Sequence, residues 1–146
     1  MGKAAILVLC TGNSARSQIA EAVLRRRLGD RYDVLSAGTE PAERIHPMAV
    51  EVMAEAGYDL SGQRPKHLRE YLGTTKVDTV IIVCGGAART CPAIWPGARQ
   101  RLLWPLPDPA AVEGDETARR EAFRAVRDAL EERVGSWSAT LGETVG

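Results

Sequence analysis

The chain has 146 residues, with 19 lysines and arginines against 19 aspartates and glutamates and an apolar fraction of 45%, which is the size and composition of one ordinary globular domain. Balanced charge argues against a polyanion-binding surface, so no nucleic-acid partner is expected, and no stretch approaches the roughly 20 apolar residues of a membrane-spanning helix. The odd set of three cysteines, Cys10, Cys84 and Cys91, fits a cytoplasmic protein with reactive thiols better than a stabilising disulfide framework.

In chain order, AAILVL at 4–9 is a continuous apolar run too short for a buried helix, and it predicts a strand covered on both faces. The opening MGKAAILVLC has the order of a secretion leader, but its run is short and Leu9 rather than a small residue precedes Cys10, so a cytoplasmic chain is expected. Ile19, Ala20, Val23, Leu24 and Leu28 form one apolar stripe and predict a helix starting around Ser17. Arg25, Arg26 and Arg27 fall near its end, where cations oppose the negative pole of the dipole. A second strand is expected at YDVLSAG, 32–38, and a second helix at PMAVEVMAEAG, with Pro47 at its first position and Gly57 at its end.

The run VDTVIIV, 77–83, predicts a third strand, and QRLLWPL, 100–106, a weaker fourth ended by Pro105 and Pro107. The longest helix spans about Glu116 to Leu141, with Phe123, Val126, Leu130, Val134 and Trp137 on one face. Strands alternating with helices predict a single α/β domain over 1–146, an open, mostly parallel four-stranded sheet flanked by helices on both sides. His46 and His67 read as surface or capping residues without chemistry.

Ligands of such sheets bind beyond the carboxyl ends of the strands, where Cys10 stands. The residues that follow, Thr11, Gly12, Asn13, Ser14, Ala15, Arg16 and Ser17, lead into the first helix. Gly12 and Asn13 tolerate left-handed backbone that turns successive amides inward, and with the helix dipole these make a concave site for a tetrahedral oxyanion. Arg16 would add a bidentate clamp. The same fields favour a thiolate, so Cys10 is expected to be nucleophilic at neutral pH, with the Ser17 hydroxyl donating to it.

Cys84 directly follows VDTVIIV and so falls on the same sheet edge as Cys10. Six residues separate it from Cys91, wider than the usual zinc-ligand spacing. If the intervening GGAART were helical, the two Cα atoms would stand roughly 10 Å apart, beyond the reach of about 7 Å that a disulfide tolerates. Gly85, Gly86 and Pro92 make that helix a poor one, so pairing is expected to accompany its unwinding.

The loop CTGNSARS resembles the phosphate-binding loop of the low-molecular-weight protein tyrosine phosphatase fold, and the arsenate reductase branch of that fold is the most similar. SAGTE at 36–40, VCGGAARTCP at 83–92 and WPLPDPA at 104–110 fall in the family's order and approximate spacing, with Ala15 standing where the family often has a second loop cysteine. The resemblance implies that Cys10 forms a covalent adduct with arsenate, that Cys84 displaces arsenite to give a Cys10–Cys84 disulfide, and that Cys91 then forms Cys84–Cys91. Thioredoxin would reduce that last bond as electron donor and protein partner. Asp108 fits the family's general acid, with Pro109 stiffening its loop. Phosphate and sulfate are implied as analogues of arsenate, no tightly bound cofactor is expected, and the chain is expected to act as a monomer.

The alternative within the fold is a low-molecular-weight protein tyrosine phosphatase, in which Cys84 and Cys91 have no part. That branch tends to place tyrosines after the Asp-Pro pair, where this chain has Ala110 and Ala111. A redox-sensing or oxyanion-binding module without catalysis is a third reading. The resemblance also associates Asn13, Glu21 and Ser36 with a potassium ion. Where further oxygen ligands would stand, this chain has SGQRPK at 61–66, so Arg64 or Lys66 is expected to replace the metal or repel it.

Overall fold

The four apolar runs form β1 (Ala4–Cys10), β2 (Tyr32–Gly38), β3 (Val77–Cys84) and β4 (Gln100–Leu106), in the order β2-β1-β3-β4. Every pairing is parallel, so the sheet is wholly rather than mostly so. The structure, a computed structural model, describes residues 3–84, 95 and 97–145. Cys91 and the GGAART stretch lie outside the described residues, so the readings placed on them stay those of the sequence.

β1 is central, and Ile6, Leu7, Val8 and Leu9 are wholly buried, as an uninterrupted apolar strand between two parallel neighbours should be. β4 is an edge strand and alternates instead: Leu103 faces solvent while Trp104 is buried edge-on against Trp137. The edge position also explains why the strand continues through Pro105 rather than stopping there, because a missing N–H is tolerated where no further strand pairs.

The helices are α1 (Arg16–Leu28), α2 (Pro47–Glu55) and α3 (Glu116–Val145), with single 3-10 turns at Leu68–Glu70 and Pro109–Ala111. α1 buries the stripe Ile19, Ala20, Val23, Leu24 and Leu28. α3 buries Phe123, Val126, Leu130 and Val134, each such side chain contributing about 1.5–3 kcal/mol. At the end of α1, Arg25 donates to Glu21 and to Val34 O, and Arg26 stacks on Tyr58, so these two cations are taken up within the fold.

Register brings one end of the sheet into focus. Cys10 lies opposite Gly38, Leu9 opposite Ile82, and Cys84 opposite Leu106. The carboxyl ends of all four strands therefore meet at one edge, with Cys10 and Cys84 closing neighbouring strands.

Candidate active site

Between Cys10 and α1 runs a five-residue loop whose carbonyls are all held outward. Thr11 O accepts from Glu40 N, Gly12 O from Ala42 N, Ser14 O from His46 N and Ala15 O from Ile19 N, each at 2.9 Å. The remaining one, Asn13 O, accepts from Gln18 Nε2 at 2.9 Å. In a planar trans peptide the next residue's N–H points opposite to the carbonyl, so the amides of residues 12–16 turn toward the concave side. α1 adds to this: its N-cap, Ala15, supplies no side-chain acceptor, and its first turn carries no acidic residue. An uncapped helix N-terminus beneath a ring of inward amides is suited to an anion.

Of the two residues expected to turn the loop, Asn13 does so, with φ 49°. Gly12 does not lie in the left-handed region, and a Cβ there would meet only Ser14 Oγ, at 3.5 Å. The bend therefore rests on Asn13, whose side chain is wholly buried and fully engaged. Its Nδ2 donates to Ser17 Oγ at 2.7 Å and Ser36 Oγ at 2.9 Å, while its Oδ1 accepts from Lys66 N at 2.8 Å. Because Ser17 accepts from Asn13, its own hydrogen goes to Cys10 Sγ, 3.3 Å away. The buried thiol thus has the donor expected for it.

Arg16 and Asp108, ninety-two positions apart in the chain, are brought together. The guanidinium is buried, donates from Nη1 to Leu106 O at 3.0 Å, and places Nη2 4.0 Å from Asp108 Oδ2. Asp108 Oδ1 accepts from Ala110 N at 2.9 Å, capping the Pro109–Ala111 turn, and its carboxylate stays half-exposed at the rim. Leu106, which holds Arg16, is the register partner of Cys84. A thiol, an amide cradle, a buried guanidinium, an accessible acid and a second cysteine on the adjoining strand thus share one edge of the sheet.

The family described as low molecular weight phosphotyrosine protein phosphatase matches residues 5–145. The chain belongs to that family. Within it, the chain is 42% identical over 140 residues to an arsenate reductase of Halalkalibacterium halodurans, covering 96% of this chain and 99% of the relative. Among solved structures it is similar to an arsenate reductase in the phosphate-binding state, with TM-score 0.78 and 31% identity over 94% of this chain and 98% of the other. It is also similar to a thioredoxin-dependent arsenate reductase of Corynebacterium glutamicum, with TM-score 0.66 and 30% identity over 94% of this chain and 63% of that one. The resemblance carried by CTGNSARS, SAGTE and WPLPDPA is thus this phosphatase-family relationship.

Other parts of this candidate site had no signal in the sequence pattern. Gln18, wholly buried, ties Asn13 O to Arg64 O, and its own Oε1 accepts from Gln63 Nε2 at 2.8 Å. The segment after β2 supplies three of the five N–H groups that hold the loop, including that of His46. His46 and His67 prove to be caps: His46 Nδ1 accepts from Met48 N at 3.1 Å, and His67 Nδ1 from Arg69 N at 3.0 Å.

The His46 cap has a pH dependence. Burial of the imidazole against Phe123, and Arg119 nearby, hold its pKa below the usual value, while Asp108 and Glu51 oppose the shift. Nδ1 can accept only when deprotonated, so this contribution is complete above the unfolded value near 6.5 and is lost as pH falls through the lower folded value. His46→Asn keeps a capping acceptor without the titration. Between about pH 7 and pH 5 the wild type should lose up to about 1 kcal/mol more than His46→Asn in urea denaturation; parallel pH profiles would contradict this.

The cation site implied by the family resemblance is not suited to a metal here. Asn13, Glu21 and Ser36 do meet, with Ser36 Oγ donating to Glu21 Oε1 and Asn13 donating to Ser36. Asn13 Oδ1 accepts from Lys66 N, and the Lys66 ammonium lies 3.9 Å from Glu21 Oε1, where its charge repels a second cation. Arg64, the other expected cation, points away and pairs with Glu70 at 3.0 Å.

Proposed function

We propose that this chain, acting as one monomeric domain over 1–146 in the cytoplasm, reduces arsenate to arsenite with Cys10 as nucleophile and thioredoxin as the final reductant. The observation that carries this reading is Cys10 at the mouth of a loop with all five carbonyls held outward, beside a strand ending in Cys84. The 42% identity to an arsenate reductase favours this chemistry over phosphate-ester hydrolysis.

Arsenate would sit on the amides of residues 12–16 and on Arg16, and Cys10 Sγ would attack arsenic while the departing oxygen takes a proton from Asp108. Cys84 then attacks the Cys10 sulfur. The sulfur–arsenic bond breaks toward arsenic, which gains two electrons and leaves as arsenite, and a Cys10–Cys84 disulfide forms. Cys91 attacks Cys84 and frees Cys10, and the dithiol of thioredoxin reduces Cys84–Cys91. The balance is one arsenate and one dithiol to one arsenite, one water and one disulfide.

The test is arsenite formation with thioredoxin, thioredoxin reductase and NADPH, run beside hydrolysis of an aryl phosphate. Stoichiometric NADPH oxidation with arsenate and slow ester hydrolysis are expected. Brisk ester hydrolysis without arsenite would assign the loop to a phosphatase, and neither activity would leave a binding module.

A further inference from the structure

The proposed chemistry has no use for Lys66, yet this lysine is only 8% exposed and is built into the anion loop. Its N–H donates to Asn13 Oδ1 at 2.8 Å and its carbonyl accepts from Gly38 N at 2.8 Å. The side chain turns inward, with Nζ donating to Arg64 O at 2.6 Å and lying 3.9 Å from Glu21 Oε1. A buried ammonium is costly unless paired. Its partner here is a carboxylate 4% exposed, which also receives Arg25 and Ser36. Burial holds the lysine pKa below its usual value, Glu21 opposes that shift, and Arg64, Glu70 and Arg25 are the other charges around it.

From Glu21 a continuous hydrogen-bonded path reaches the thiol. Ser36 donates to Glu21, Asn13 donates to both Ser36 and Ser17, and Ser17 donates to Cys10. Asn13 is the branch point, so the path ends in an acceptor at each side: a carboxylate at one end and the reactive sulfur at the other. Of the two cations on Glu21, Arg25 is half-exposed and screened by solvent while Lys66 is buried, so without Lys66 the carboxylate would be less compensated and would oppose negative charge on Cys10 and draw the donors of Asn13 and Ser36 toward itself.

We infer that Lys66 is the resident cation of this site: its ammonium takes the place beside Glu21 that an external monovalent cation would fill, and by balancing Glu21 it keeps the Asn13–Ser17 arm directed at Cys10. Lys66 is a positioning residue that touches no substrate, and its role rests on the reading of Cys10 as nucleophile.

The test compares wild type, Lys66→Ala and Lys66→Met, the first variant leaving space beside Glu21 and the second filling it without charge. Cys10 alkylation by iodoacetamide at about pH 7 is followed by mass spectrometry, and thermal melting is followed in matched potassium, ammonium and choline salts at constant sulfate. The wild type should melt alike in all three. Both variants should alkylate about tenfold more slowly, and Lys66→Ala alone should recover rate and melting temperature saturably with potassium or ammonium. A saturable potassium-specific rise in the wild type, or variants alkylated at the wild-type rate, would overturn the inference.

Should either single variant fail to fold, Glu21→Gln/Lys66→Met removes both charges and is expected to recover alkylation; a double variant as slow as Lys66→Met, or itself unfolded, counts against charge balance. None of these measurements uses arsenate, so a chain that makes no arsenite still tests Lys66. Loss of the nucleophile reading would show separately, as a wild-type Cys10 that phosphate does not protect.

Discussion

Gly38→Ala is expected to weaken anion binding at Cys10 about 100-fold and to destabilise the fold by about 1–3 kcal/mol. A Cβ at this position would stand 2.4 Å from Thr11 O and 3.1 Å from both Asn13 N and Cys10 O. All three are backbone atoms, so no side chain can rotate away. Gly38 itself is fixed, paired with Cys10 across β1 and β2 and donating its N–H to Lys66 O at 2.8 Å. The displaced partner must then be the loop. Overpacking of this kind costs about 1–3 kcal/mol, and a shift of about 1 Å in a positioned group costs about 100-fold in function. The readouts are urea denaturation and the phosphate concentration that half-protects Cys10 from alkylation. Gly62→Ala is the control, since a Cβ there meets nothing within 4 Å, and it should be close to neutral in both. Unchanged phosphate protection in Gly38→Ala would show that the loop is not seated on this glycine.

This close approach illustrates where sequence reading ends. β1 was legible because a central parallel strand is buried on both faces and must be uninterruptedly apolar, and α3 because a long helix on one face of a core repeats Phe123, Val126, Leu130 and Val134 at helical spacing. The grouping of Cys10, Arg16 and Ser17 was legible for a local reason: a thiol, a guanidinium and a hydroxyl within eight residues, between a strand and a helix, already suit the anion site proposed above. The acid role proposed for Asp108 needed the resemblance, because an Asp-Pro pair by itself is an ordinary turn, and the hydrogen bond this fold shows for it is a cap on Ala110 N.

The rest depends on contacts between distant parts of the chain. Glu40, Ala42 and His46 hold the loop through backbone N–H groups, which every residue but proline possesses, so their side chains carry no mark of the task. Gln18 looks like a polar residue on the exposed side of a helix until the 63–66 segment covers it. The basic pair Arg64 and Lys66 could be noted, but which one turns inward was decided by backbone: Lys66 is clamped by Asn13 and Gly38, leaving Arg64 to reach Glu70 outside.

Cys91→Ser is expected to abolish multiple turnover while leaving a single one. On the proposed relay this variant can still bond arsenate to Cys10 and release arsenite through Cys84, but it cannot pass the disulfide outward. The product should be a trapped Cys10–Cys84 bond and one arsenite per enzyme. Cys84 closes β3 beside β1, which ends in Cys10, so the first exchange joins the ends of neighbouring strands. Cys84→Ser should stop earlier, with no arsenite burst, yet keep the loop, Arg16 and Asp108 competent for slow hydrolysis of an aryl phosphate, which needs no second thiol. The two variants therefore fail at different steps: one burst and a disulfide in the first, neither in the second. A quench assay counts arsenite per enzyme after one arsenate exposure, and mass spectrometry of peptides with free thiols blocked identifies the bonds directly. Sustained turnover of Cys91→Ser with thioredoxin would replace the relay by a mechanism in which the external dithiol attacks Cys84 itself, and a full burst from Cys84→Ser would remove Cys84 from the chemistry altogether.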